Sequence, residues 1–299
     1  MLGVSILTFS LSQLAPGDPA EIILRESGIE PTREAVLAMQ EQLGLNDPVI
    51  VQYGRWSWAA LQGDLGKSFR TGHPVFQEII SRFPATVQLT AAGLLVMLLI
   101  ALPVGILAAL FKNTFIDHLS RVFALVGASI PSFWLGLLLI YYLAVKYSLF
   151  PVMGRGTASH LVLPALALGL GMSATYARLL RASMLEVLGQ DFVQAARARG
   201  LQERIVIISH SLKNALLPVV TAFGMSLGHL LGGTVIIETI FAWPGLGRFV
   251  VDAIFNRDYP VIQGYVLFMA LIFVLVNLFV DLSYRFFDPR IRLEGGKEQ

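Results

Sequence analysis

The sequence contains no cysteine. Disulfides, thiolate metal sites and cysteine nucleophiles are therefore ruled out, and no redox compartment can be read from it. Charge is scarce as well. Asp, Glu, Lys and Arg make up 14% of the 299 residues, against about 25% in a typical soluble domain. Because 55% of the residues are hydrophobic and mean hydropathy is +0.68, an ordinary soluble protein is excluded. The net charge of +2 is too small to argue for a nucleic-acid partner. The opening "MLGVSILTFSLSQLAP" has neither the basic n-region nor the small-residue cleavage site that a signal peptide would need, and is expected to be a membrane span. No repeat or low-complexity segment is visible. A complete P-loop is missing too. "GDLGKS" at 63–68 ends as a P-loop ends, but Leu61 stands where the first glycine belongs, and no buried strand precedes it. Any ATP site must lie on another chain.

What is present is a series of apolar runs near the 20 residues that cross a bilayer as helix. They lie at Thr86–Phe111, Leu119–Val145, Leu161–Leu180, Ala215–Ile237 and Val261–Tyr284, and the opening segment makes six. The expected fold is an all-α membrane protein with six transmembrane helices in one domain over 1–299. Residues 1–15 form a short first span, expected to be truncated, and 16–85 a large outer loop. A five-span core over 86–284 contains a polar loop at 181–214, and 285–299 is a tail. Basic residues orient this arrangement. Arg178, Arg181, Arg197, Arg199, Arg204 and Lys213 cluster around the polar loop, and Lys112, Arg121, Arg285, Arg290, Arg292 and Lys297 fall on the same side. The opposite short loops hold only Lys146, Arg155, Arg248 and Arg257. That asymmetry places the polar loop and both termini in the cytoplasm.

In the outer loop, "PTREAVLAMQEQLGL" reads as a surface helix, with Pro31 in its first turn, Val36, Met39 and Leu43 on one face, and Gly44 at its end. "GRWSW" then brings Trp56 and Trp58 to the membrane surface, where indoles prefer to sit. The polar loop is more informative. "EVLGQDFVQAARARGLQERIVIISHSLKNALLPVV" (186–220) is too polar to span, yet too regular for a loose linker. Gln194, Ala195 and Ala196 lie in a helical run that Gly200 stops, and the alanines keep one side slim enough for a protein to approach. Leu217 and Pro218 mark the re-entry into the membrane. A stub of this kind can be pushed as a rigid lever.

Gln194, Ala195, Ala196, Gly200, Leu217 and Pro218 resemble the hallmark loop of the permease subunits of ATP-binding-cassette importers, with glutamine in place of the usual glutamate. The rest of the chain resembles the dipeptide, oligopeptide and nickel branch, through "APGDPA", "LGLNDPVIVQY", "GDLGKS", "SIPSFW", "HSLKNALLPVVT", "FAWPGLGR", "NRDYPVIQG" and "DPRIR" in order. The resemblance implies a transport subunit without catalytic residues, cofactor or metal of its own. Its partners would be a related second permease subunit forming a heterodimer, two cassette ATPases whose groove takes the stub as a coupling helix, an extracytoplasmic substrate-binding protein, and membrane lipid. The setting would be a bacterial or archaeal cytoplasmic membrane, and the cargo a di- or oligopeptide or a nickel complex.

Met225, His229 and Glu238 are candidates to line the pathway. Met225 and His229 share a helix face, and an imidazole with a thioether suits a soft or borderline metal, although glycine-rich surroundings also suit helix contact. Glu238 could gate or bind a cationic amino terminus, but the plainer expectation is a wet residue at the membrane boundary. Asp281 is expected to pair with Arg285 one turn on. Two rival classes have weaker support. An ion-coupled secondary transporter would show inverted repeats and mid-membrane carboxylates. An intramembrane serine protease would need more than Ser173 with His229, since Ala174 stands where its motif needs glycine.

Overall fold

The computed structural model describes residues 1–14, 17–26 and 28–287, apart from the side chains at 225–229, 231–233, 281 and 283–287. The described residues are mostly helical: α1 Leu2–Leu14, α2 Pro19–Glu26, α3 Arg33–Leu43, α4 Val49–Leu61, α5 Val75–Leu110, α6 Phe115–Ser129 and α7 Ser132–Leu139. There follow α8 Ala158–Leu188, α9 Asp191–Ala198, α10 Glu203–Ile205, α11 Lys213–Ile240, α12 Leu246–Phe255 and α13 Tyr259–Phe287. Wider π-helical turns continue α7 through Ile140–Lys146 and join α10 to α11 through Val206–Leu212. Among the described residues the sole β feature is an isolated bridge between Lys67 and Pro74.

Two compact units emerge, Met1–Ala85 with Gly245–Leu275, and Thr86–Pro244 with Val276–Gln299. In the first, α1 packs on α4 through Phe9, whose ring centroid lies 5.4 Å from that of Tyr53 and 5.6 Å from that of Trp56. A second cluster joins Val75 and Ile79 of α5 to Leu246, Ala253 and Val261. The close approach of α13 to α5 requires glycine at 264, because a Cβ there would sit 2.7 Å from Val75 Cγ1. The expected surface helix is α3, but it starts at Arg33, so Pro31 precedes it instead of lying in its first turn, and Thr32 caps it, its hydroxyl accepting from the Ala35 amide at 3.3 Å. Gly44 ends it with φ +66°, as a helix stop of this type requires.

The second unit is a bundle in which small residues let backbones meet. A Cβ on Gly169 of α8 would lie 2.6 Å from the Gly93 carbonyl oxygen of α5, and one on Gly105 would lie 2.9 Å from the Ala177 carbonyl. Its core runs through Met97 and Ala101, Tyr176, Leu180 and Met184, and on to Val206, Ala215 and Val219.

Among the described residues four helical stretches are long and apolar enough to cross a membrane: Val75–Leu110, Ala158–Leu188, Glu203–Gly224 and Tyr259–Val280. The expected span at Leu119–Val145 is not straight. It is broken into α6 and α7 with a bend of 100°. Pro131 lacks an amide hydrogen and holds Ile130 extended at φ −85°, ψ 120°, so the helix must stop and restart. Counted as one span, the bent pair makes five. The 13 residues of α1 rise only about 20 Å, against about 30 Å of hydrocarbon.

Candidate functional site

The stub expected from the polar loop is α9. Glutamine at 190 caps it in extended conformation, and Arg199 and Gly200 end it. Gly200 has φ +76°; its amide donates to the Arg197 carbonyl at 2.9 Å, and the Leu201 amide reaches back to Ala196 at 3.4 Å. This pair of bonds is the usual glycine stop of a helix. Two residues one turn apart, Val193 and Ala196, turn inward and join the core formed with Met184, Val187, Val206 and Ala215. Phe192, Gln194, Ala195 and Gly200 remain on the exposed side. The two alanines therefore do not share a face, as the sequence reading had them do. Ala196 is buried in the core, and Ala195 belongs to the outer face with Gln194.

The far side of the stub is tied down as well. Arg197 donates to both carboxylate oxygens of Glu203, at 2.6 and 3.2 Å, closing the turn between α9 and α10. That hydrogen bonding raises the arginine further above its ordinary value, so it stays charged at every working pH. From Glu203 to Ile240 the chain is continuously helical, so only the four-residue turn 199–202 separates the stub from the helical run that includes α11. Leu217 and Pro218 lie on exposed surface early in that helix.

In the same unit, α6 and α8 are joined by a pair that the sequence reading passed over. Asp117, with no exposed surface, accepts two bonds from the Arg181 guanidinium at 2.6 and 2.9 Å and one from the Asn113 amide at 2.9 Å. It joins the first turn of α6 to α8 one turn before Met184, the residue against which α9 packs. A lone aspartate at the start of an apolar helix was the available signal.

At the other end of α11, Glu238 is fully buried, not a wet boundary residue. Thr86 Oγ1 donates to its Oε1 at 2.7 Å. The "FAWPG" turn that follows folds inward. Phe241 and Trp243 are among the largest side chains with almost no exposure, the Phe241 carbonyl accepts from the Gly154 amide at 2.8 Å, and Arg155 lies 5.7 Å from the Trp243 ring centroid while donating to Gln88. The side chains of Met225 and His229 lie outside the described residues, as do those of Asp281 and Arg285 and all of "DPRIR". Ser173 is buried in α8 and gives its hydroxyl to the Leu170 carbonyl at 2.8 Å, the ordinary fate of serine in a membrane helix.

"GDLGKS" has a structural explanation. Ser68 is buried and donates to Asp258 Oδ2 at 2.5 Å, and the Phe69 amide donates to Oδ1 at 3.1 Å. The Gly66 amide is taken by Asp64 and the Thr71 amide by Ser68 Oγ. Amides that a P-loop would offer to phosphate are here committed to the chain's own side chains, which ties this motif to the aspartate of "NRDYP".

Helical, with stretches long and apolar enough to cross a membrane and a short polar helix packed on its core, the chain has the architecture of a multi-pass membrane protein. Residues 101–293 match the family described as binding-protein-dependent transport system inner membrane component, and residues 1–90 match the N-terminal family of the same membrane components. The chain belongs to this family: it is the permease subunit of an ATP-binding-cassette importer, a transport component and not an enzyme. The dipeptide transport system permease protein DppB of Escherichia coli K12 is 41% identical, over 97% of this chain and 94% of the relative. The glutathione transport system permease protein GsiC of Salmonella typhimurium LT2 is also 41% identical, over 98% of this chain and 94% of the relative. Solved structures agree in fold. Inward-facing MetNI, a methionine ABC transporter, superposes with a TM-score of 0.59 at 20% identity, covering 71% of this chain and 97% of that one.

Proposed function

We propose that this chain forms one half of the pathway of an ATP-driven importer of short peptides. The observation that carries the reading is the α9 stub: its inner face packs in the helix core, its outer face is exposed among the described residues, and a short turn closed by Arg197 and Glu203 leads into the helical run through α11. Cassette ATPases closing on Gln194, Ala195 and Gly200 would move that lever and so exchange inward-open for outward-open states. Such coupling requires the ATP-bound partner to prefer one state, since equal affinity for both shifts nothing. Peptide cargo is supported by the dipeptide and glutathione permeases that are 41% identical over nearly the whole chain.

The assembly is a heterodimer with a second permease, two cassette ATPases and an extracytoplasmic binding protein, in a bacterial or archaeal cytoplasmic membrane. Six spans and cytoplasmic termini follow if α1 and the bent α6–α7 pair each cross once, which agrees with the distribution of arginine and lysine. Paired uptake of labelled dialanine and of radioactive nickel, in cells with and without the gene, tests the cargo. Loss of dialanine uptake alone is expected. Loss of nickel uptake alone would replace the peptide reading and make His229 the first residue to mutate.

A further inference from the structure

The unit formed by Met1–Ala85 and Gly245–Leu275 bears a solvent-open cavity of about 840 Å³. Small-ligand sites occupy roughly 300–1,000 Å³. Its wall is rich in carboxamides, among them Gln13, Gln40, Gln52 and Gln263, together with the carboxylates of Asp18 and Asp64. The partners of these amides determine which atom is which. Gln52 Nε2 donates to the carbonyls of Leu45 at 2.9 Å and Asp47 at 2.8 Å, so its Oε1 must accept from Gln13 Nε2, at 2.8 Å. Gln40 meets the Asp18 carboxylate, which only accepts, so Nε2 is again the donor. Ser12 Oγ gives its proton to the Phe9 carbonyl at 2.7 Å, so the Gln263 atom 2.5 Å from that oxygen is also Nε2.

The amide nitrogens of Gln13, Gln40 and Gln263 are thus committed to the protein. Their Oε1 atoms meet no protein donor among the described residues. Asp64 spends Oδ1 on the Gly66 amide at 2.9 Å, and its Oδ2 likewise has no donor among them. The wall therefore presents acceptors, with Gln13 and Asp64 exposed and Gln263 buried, that a ligand bringing N–H donors can take over from water. The two cations on this wall differ, for Arg55 is paired with Asp47, whereas Lys67 has no acidic partner among the described residues.

We infer that this cavity receives a short peptide before translocation, its ammonium end on the Gln13, Gln40, Gln263 and Asp64 oxygens and its carboxylate toward Lys67. A zwitterion with several N–H donors complements both features, and carboxamides bond main-chain groups without reading side chains, as a permease serving many peptides requires. The inference rests on the peptide-importer reading.

Equilibrium binding of radiolabelled dialanine to the assembled transporter in nanodiscs, with its partner subunits but without binding protein, tests it. Wild-type complex is expected to bind dialanine, and N-acetyl-dialanine, which lacks the ammonium, about tenfold more weakly, as loss of a charged hydrogen bond implies. Asp64→Asn keeps an acceptor for Gly66 and removes the charge, and Gln13→Leu removes one forced acceptor. Each is expected to weaken dialanine binding by roughly three- to tenfold. Gln13→Leu also breaks the bond to Gln52, so Asp64→Asn is the decisive variant. No dialanine binding by wild type, equal binding of the acetylated peptide, or unchanged binding by Asp64→Asn would overturn the inference. It would also fall if the variants left dialanine binding alone and weakened capture of the binding protein, since the cavity would then be a protein-docking surface. Dialanine uptake by cells with and without the gene separates the two failures: uptake that needs the gene leaves the importer reading standing when the cavity claim falls.

Discussion

Two carboxylates with no exposed surface, Asp117 and Glu238, show what single residues contribute. Buried charge is tolerated only where partners replace water. Asp117 does this with a two-pronged arginine and a backbone amide, so Asp117→Ala would strand the Arg181 guanidinium. We predict a loss of about 3 kcal/mol, read as a lowered melting temperature of the solubilised complex. Thr86→Val removes one donor from Glu238 and is predicted to cost about 1–3 kcal/mol in the same measurement. Neither partnership could be read from the sequence. Thr86 and Glu238 are 152 positions apart and Asp117 and Arg181 are 64 apart, and periodicity within one helix does not say which neighbour its polar residue will meet. Ser68 ends a motif that copies only the close of a phosphate loop, and its hydroxyl is bound to Asp258, 190 positions away, a partner equally hidden in the sequence.

Helices and turns were legible wherever their determinants are local. Gly44 and Gly200 both stop helices with φ near +70°, and both were identified as stops from position alone. The apolar runs located α5, α8, α11 and α13, with ends displaced by up to about a dozen residues, because polar residues can continue a helix beyond the apolar run. The bend at Pro131 was hidden inside an unbroken apolar run, although "SIPSFW" contains the proline responsible. Helix pairing was hidden as well. Gly93, Gly105 and Gly169 look like helix-weakening residues until α5 and α8 are seen in contact. Gly169→Leu is predicted to force these helices apart, since even a Cβ would overlap the Gly93 carbonyl oxygen. The expected readout is loss of assembled complex on size-exclusion chromatography, where Gly3→Leu, at a position with nothing within 4 Å, leaves assembly intact.

For the whole molecule, the claim is that ATP used on one chain becomes movement in another, and α9 is where that happens. Its inner face is fixed by Val193 and Ala196, its turn by Arg197 and Glu203, and its outer face, exposed among the described residues, is the surface proposed to take the partner. Gly200 is the sharpest place to intervene. A Cβ there meets nothing within 4 Å, so a side chain has room, and the left-handed backbone makes aspartate cost only about 1–2 kcal/mol. The fold should survive while the partner-facing surface gains a charge. The decisive measurement is ATP hydrolysis by the reconstituted complex, with and without loaded binding protein, for wild type and Gly200→Asp alongside dialanine uptake into the same proteoliposomes. The account predicts that wild type shows stimulated hydrolysis and uptake, and that the assembled Gly200→Asp complex loses both stimulation and uptake. Full stimulation with normal uptake in the variant would contradict the assignment of α9 as the coupling lever.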